Sequence, residues 1–397
     1  MKRNFWRLIV LTVLTMLICG CFSEEKIETA DMRGGKIKES SVAKPERRDE
    51  RKENRVAVSE PPADSLEEQL KSMSLEEKVG QMMIVGFNGT ELNDDIIYSL
   101  NQFHFGGIIL YDRNLESVAQ AKALTEALQT KQKIPLFIAI DEEGGQVVRG
   151  QNFLPPAPSQ EEIGRGGDVS AATYWAEYNV DLLRSIGVNL NFAPVADVGS
   201  KDTRSFASDA QTVAEFVEAS AQGYERQNFF YTLKHFPGIG KGKTDTHKEV
   251  SHVEDSRDVL DAEDLPPFAR IIQDHDNSRF MVMVGHLIYD AIDPNNSASL
   301  SRAVITDLLR DELGFDGVVV TDDLEMGAIK NNVDLSTIGV RTILAGNDIA
   351  LVCHNPESQR AVYYGIINAV RRGEISEERI NESVRRILKM KAHLNRQ

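Results

Sequence analysis

Eight apolar, β-branched runs recur along this chain, and six of them carry an ionisable residue at their carboxyl end. That recurrence limits the architecture more than any other feature. The runs lie at 82–87, 106–111, 135–141, 188–198, 229–236, 281–286, 317–323 and 349–354. A strand that is apolar at consecutive positions must be covered on both faces, as in a parallel sheet wrapped by helices. Helix-period segments fill the gaps at 115–131, 169–186, 209–227, 263–274, 301–313 and 335–344. Ser74-Leu75-Glu76-Glu77 carries a capping box that opens the body of the fold. Asn355-Pro356 opens a further helix with an N-cap residue and proline in its first turn, and Gly373 is placed to end it. Ser376 opens the last helix, and Arg385, Arg386, Lys389 and Lys391 supply the positive charge that a helix carboxyl end favours. Eight strand–helix units over roughly 330 residues predict an α/β fold, a single (β/α)8 TIM-type barrel, rather than an open doubly wound sheet.

The barrel does not account for the start of the chain. Lys2, Arg3 and Arg7 precede an apolar stretch at 8–18, too short for the roughly 20 residues of a membrane-spanning helix. Ile18-Cys19-Gly20-Cys21 then has the form of a bacterial lipoprotein cleavage box. The expectation is a signal peptide at 1–20, removed by cutting after Gly20, with a diacylglyceride on Cys21 anchoring the protein at a membrane surface. Residues 21–64 alternate charge and include Pro61-Pro62, with little to bury, so a disordered tether is expected before a catalytic domain at 65–397. With Cys19 removed and Cys21 lipidated, Cys353 is the only other cysteine, and an apolar-flanked one of this kind belongs in the core. The formal net charge is −16. So acidic a chain argues against nucleic-acid binding.

The polar residues that close the strand runs are the candidate functional set. Asp141, Asp197, Lys234 with His235, His286, Asp322 and His354 all stand at carboxyl ends. One such residue is more often a cap than a catalyst, but a barrel gathers that end into one pocket. Asp245-Thr246-His247 adds a carboxylate two residues before an imidazole. In an extended segment both point to one side, so Asp245 can fix the tautomer of His247. An Asx-type turn with a surface histidine explains the same spacing, which leaves both readings open. Gly242-Lys243-Thr244 imitates the end of a phosphate-binding loop, but the position of that loop's first glycine is Pro237, and no convincing helix follows. His235, His247, His252 and His286 lack metal-ligand spacing, so neither a metal nor a cofactor is expected.

The ordered motifs point further. Asp141-Glu142-Glu143-Gly144-Gly145-Gln146-Val147-Val148-Arg149 is followed by Arg204-Ser205-Phe206, Lys234-His235-Phe236-Pro237-Gly238, Asp245-Thr246-His247, Leu308-Leu309-Arg310, and Val318-Val319-Val320-Thr321-Asp322-Asp323. Over about residues 70–395 the chain resembles glycoside hydrolase family 3, in its bacterial β-N-acetylglucosaminidase branch. The resemblance implies a retaining exo-glycosidase that removes terminal non-reducing β-N-acetylglucosamine, with peptidoglycan fragments as the source. It implies Asp322 as nucleophile, His247 as acid/base oriented by Asp245, and Asp141, Arg149, Arg204, Lys234 and His235 as substrate ligands. It also departs from the family: Ile239 stands where the family carries histidine between two glycines, and Lys241-Gly242-Lys243 is more basic than usual. Two alternatives are a catalytically weak sugar-binding lipoprotein of the same fold and a β-glucosidase, against which the Asp-x-His pair argues. The expected protein is a monomer, lipid-anchored on the extracytoplasmic face of the cell membrane, with a glycan or muropeptide as partner.

Overall fold

All eight apolar runs hold a strand, and every residue of those strands is buried. The computed structural model describes residues 63–200, 202–240, 251–326 and 334–394. In chain order the strands are β1 (Met83–Val85), β2 (Gly107–Leu110), β3 (Phe137–Ile140), β4 (Leu190–Asn191), β5 (Tyr231–Phe236), β6 (His252–Val253), β7 (Phe280–Val284), β8 (Ile288–Tyr289), β9 (Asp293–Ser297), β10 (Val318–Thr321) and β11 (Ala350–Val352). One parallel sheet has the order β11-β1-β2-β3-β4 and a second the order β10-β7-β5. Single parallel bridges connect their ends: Leu190 with Phe230, Val195 with Lys234, and Val320 with Ile349. The small sheet β6-β8-β9 lies outside this succession.

Helices between the strands start where the sequence supplies caps. Ser117, Asp209, Asn355 and Ser376 accept amide hydrogens at the starts of Val118–Gln129, Ala210–Arg226, Pro356–Arg371 and Glu377–Lys391. Such caps satisfy donors that the first helical turn leaves unpaired. Ser74 and Glu77 form the expected capping box. Gly373 follows the Pro356–Arg371 helix with φ of 76°, a conformation that favours glycine.

Three expectations need correcting. The segment 263–274 is not one helix but the meeting of Arg257–Glu263 with Pro266–Asp274, because Pro266 and Pro267 start a first turn rather than continue one. The run 188–198 pairs as a strand only at Leu190–Asn191. Phe192 still donates to the Ile140 carbonyl at 2.8 Å, but Pro194 has no N–H, and pairing lapses to the bridge at Val195. Lys391 is no surface charge at a helix end: it is 2% exposed, and its Nζ donates to Gln81 Oε1 at 2.8 Å and the Gly106 carbonyl at 2.6 Å. Burial pushes its pKa well down.

Candidate active site

Asp322 follows β10 directly. Its backbone N–H donates to the Val284 carbonyl at the end of β7 at 2.9 Å, and its Oδ1 accepts the Asp323 N–H at 2.8 Å. Strand pairing thus fixes the backbone, and a neighbouring amide holds the carboxylate. Asp322 opens on a cavity of about 300 Å³ also lined by Tyr111, Asp141, Glu143, Arg149, Arg204, Lys234, His235, Ile239, Asp323 and His354. Burial pushes the Asp322 carboxyl upward, but the positive field of His235 and His286, the Asp323 amide and Lys234 outweigh it, so the net shift is downward. The group is therefore held as a carboxylate.

Another part of the cavity lining comes from β3 and β5. Lys234 Nζ meets Asp141 Oδ1 at 2.8 Å and Glu143 Oε1 at 2.5 Å. Arg204 grips the same Glu143 through Nε and Nη2, both at 2.8 Å, in the forked geometry suited to guanidinium and carboxylate. Arg149 Nη2 stands 3.6 Å from Asp141 Oδ2. Burial alone would raise the pKa of Glu143, but Lys234 and Arg204 bring it down to about 2. Burial likewise works against Lys234, and Asp141 and Glu143 reverse it, raising its pKa. The β5–β7 register shifts between Lys234 and Phe236, an irregularity of the kind that re-aims side chains, and the adjacent Lys234 and His235 both line the cavity.

The 141–150 turn sets three of these groups. Glu143 N–H donates to the Val147 carbonyl at 2.9 Å. Gly144 has φ of 90°, and a Cβ there would lie 2.3 Å from the Pro158 carbonyl oxygen, so only glycine lets the turn pack so closely. Buried Glu142 accepts the Arg149 N–H at 2.8 Å, and burial pushes its carboxyl up to about 7.

Five of the site residues expected from sequence, Asp141, Arg149, Arg204, Lys234 and His235, come together with Asp322 around the cavity. Asp197 and His286 do not line it, contrary to the expectation that all six strand ends meet there. Asp197 lies behind His235, accepting from its N–H at 3.1 Å and bonded to its Nδ1 at 2.8 Å. His286 contacts Ser299 Oγ at 2.7 Å and the Asp323 carbonyl at 3.0 Å. Strand-end position alone does not separate a lining residue from its support. Asp245, His247, Cys21, the leader and most of the tether lie outside the described residues. Ile239 lines the cavity, and its N–H donates to Asp197 Oδ1 at 2.8 Å. Cys353 is buried, as its setting required.

Sequence reasoning passed over Glu143 and Tyr111. Glu143 belongs to the quoted 141–149 motif, and its signal was an acid beside a turn of two glycines. Tyr111 closes the second apolar run, and the guanidinium groups of Arg113 and Arg149 lie 4.5 and 5.2 Å from its ring centre. Among the described residues no cluster of His, Cys, Asp or Glu is arranged to hold a metal ion.

Comparison with known proteins identifies the family. The family model described as "Glycosyl hydrolase family 3 N terminal domain" matches residues 74–390. Beta-hexosaminidase A of Pseudoalteromonas piscicida is 32% identical over 338 residues, covering 77% of this chain and 56% of that protein. The chain thus spans little more than half the length of that relative. A beta-hexosaminidase of Nitrosomonas eutropha is 36% identical over 289 residues, covering 70% of this chain and 81% of the relative. The solved structure of a family 3 beta-N-acetylglucosaminidase from a Paenibacillus species is similar with a TM-score of 0.78 and 38% identity, over 81% of this chain and 63% of that one. With the family model matching most of its length, the chain belongs to glycoside hydrolase family 3.

Proposed function

We propose that this protein hydrolyses terminal β-linked N-acetylglucosamine with retention of configuration, and that peptidoglycan fragments supply the glycan. The observation that carries the reading is Asp322, held ionised at the end of β10 and sharing a sugar-sized cavity with Lys234, Arg204, Asp141 and Glu143. The relatives named as hexosaminidases support the choice of sugar. In the first step an Asp322 oxygen bonds to the anomeric carbon as the glycosidic C–O bond breaks, and His247 gives its proton to the departing oxygen. In the second, His247 takes a proton from water, whose oxygen bonds to the anomeric carbon and frees Asp322. Asp245 orients the imidazole. The roles of Asp245 and His247 rest on the Asp-x-His sequence and the family resemblance. Asp141, Arg149, Arg204, Lys234 and His235 supply donors and acceptors suited to sugar hydroxyl and acetamide groups.

The strand succession, with the bridges β4 to β5 and β10 to β11, supports closure into a single (β/α)8 barrel. We place the division between tether and catalytic domain near residue 65, and the protein on the extracytoplasmic membrane face through lipid on Cys21. The function is tested by kinetics on N-acetylglucosaminyl-anhydromuramic acid against chitobiose and a chromogenic glucoside. Faster turnover of the first is expected; turnover of the glucoside alone would refute the reading. Cys21→Ser should release the protein from membranes of its native host with activity intact, and a wild type found wholly soluble there would refute the anchor.

A further inference from the structure

Beside Asp322, on the rim of the same cavity, a line of polar groups runs from Asp323 through His354 to Arg113. Asp323 gives its backbone N–H to Asp322 Oδ1 at 2.8 Å, while its own Oδ1 accepts the amides of Glu325 at 3.1 Å and Cys353 at 3.2 Å. Its Oδ2 faces His354 Nε2 at 3.5 Å. The imidazole is half-exposed and tilts against the Tyr111 ring, with centres 5.3 Å apart. Its Nδ1 stands 3.2 Å from Arg113 Nη1. Arg113 is itself anchored, donating from Nε to the Phe87 carbonyl at 2.9 Å and from Nη2 to the Cys353 carbonyl at 2.7 Å. The Glu325 carboxylate takes the backbone amides of His354 and Asn355, tying the exit of β11 to that of β10.

An arginine has only donors. His354 Nδ1 must therefore accept, which leaves the ring proton on Nε2, directed at Asp323. We propose that Arg113, His354 and Asp323 form a positioning relay that fixes the neutral Nε2–H tautomer of His354 and, through Asp323, the place of the Asp322 carboxylate. The proposal deepens the assignment of Asp322 as nucleophile and rests on it. Around the ring stand Arg113 and Tyr111 from the exit of β2, Asp323 and Glu325 from that of β10, Cys353 beside it on the chain, and Arg149 across Tyr111. Asp323 and His354 line the cavity along with Asp322, so kinetics must tell a relay from a sugar contact: a relay acting through Asp322 changes kcat with little change in KM. A sugar contact would move KM.

Two measurements test it. The first needs no substrate: nitrogen NMR of histidine-labelled protein at pH 8, with the His354 signal identified by its loss in His354→Gln. The relay requires an Nε2–H imidazole, shifting toward a mixture of tautomers in Arg113→Met; an Nδ1–H ring, or a signal indifferent to Arg113→Met, overturns it. The second compares His354 variants on an N-acetylglucosaminide. His354→Ala should lower kcat by about 10- to 100-fold, the scale of a misplaced reacting group. His354→Gln, which can accept and donate at once, should recover most of that loss, whereas the donor-only His354→Lys should not. Equal kcat in all three variants, or losses confined to KM, overturns the relay. Asp322→Asn in the same assay separates the two claims: if that variant keeps full activity, the nucleophile assignment fails, and the NMR result still decides the relay.

Discussion

Two charge clusters stand at opposite kinds of strand end, one after β3 and in β5, the other before β11 and beside β10. At the carboxyl ends, Lys234, Arg204, Glu143 and Asp141 pair with one another and still face a cavity. At the amino ends, Asp348 is fully buried among Arg310, Arg379 and Arg386, with Oδ2 2.7 Å from Arg310 Nη2 and Oδ1 2.7 Å from Ser383 Oγ. The arginines spend remaining donors on backbone carbonyls: Arg310 on Phe315, Gly317 and Gly346, and Arg379 on Ile343 and Asn347. Both clusters pair carboxylates with cationic side chains, two of each in the first and one Asp among three Arg in the second. In one, bonding capacity is turned toward a space a ligand can enter; in the other it is consumed in fastening strands to the last helix. A division of chemistry and stability between strand ends is what the proposed barrel would produce.

The largest expected contrast comes from removing one acid at each end. Asp322→Asn should lower kcat on the order of 10⁴-fold, as loss of an essential catalytic group does, without moving the thermal midpoint. Asp348→Ala should instead leave kcat of the folded protein unchanged and cost about 3–5 kcal/mol of stability, because it strands buried arginines without a counter-charge. Denaturant melts beside initial rates check both; a kinetic effect from Asp348 or a purely structural one from Asp322 would break the comparison.

His247→Ala should sharpen it next. A leaving group of low pKa departs without a proton, so hydrolysis of a disaccharide should fall by about 10²- to 10⁴-fold while glycosylation by an activated aryl glycoside is largely spared. The ratio of kcat/KM on the two substrates reads this out, and equal losses on both would mean that the acid/base lies elsewhere.

The smallest effect concerns pH. Burial pushes Glu142 up to about 7, and burial chiefly, with the charges of Glu325 and Asp322, pushes Asp323 to a similar value. Between the ordinary carboxyl range and pH 7 the folded protein holds protons that the unfolded chain releases, so these groups cost stability as pH rises through that window. Glu142→Gln should flatten the fall in thermal midpoint between pH 5 and 8 relative to wild type; an unchanged slope would place the buried charge elsewhere.

The strands were legible in the sequence because burial on both faces writes them as continuous apolar runs. Strand β9, Asp293-Pro294-Asn295-Asn296-Ser297, left no such trace, since it pairs at an edge and buries only Ser297 fully. Helix Asp94–Phe103 was overlooked although Asn93 caps it and Ile96, Leu100 and Phe103 are buried at helical spacing. Asp322 and Lys234 could be read from strand ends, whereas the grip of Glu143 on Lys234 and Arg204 depends on a turn whose path only the fold defines. Lys391 illustrates the converse: its place in the last helical turn fits a dipole charge, and only packing against Gly106 reveals a buried hydrogen-bonded amine.

The central claim is that Asp322 forms the covalent bond to the sugar. A 2-deoxy-2-fluoro glycoside, in which fluorine replaces the acetamido group, carrying an activated leaving group should trap that intermediate, and peptide mass spectrometry should locate the label. The account predicts a single labelled peptide with the sugar on Asp322. Label on Asp323 or Glu325, or release of product with inverted configuration, would contradict it.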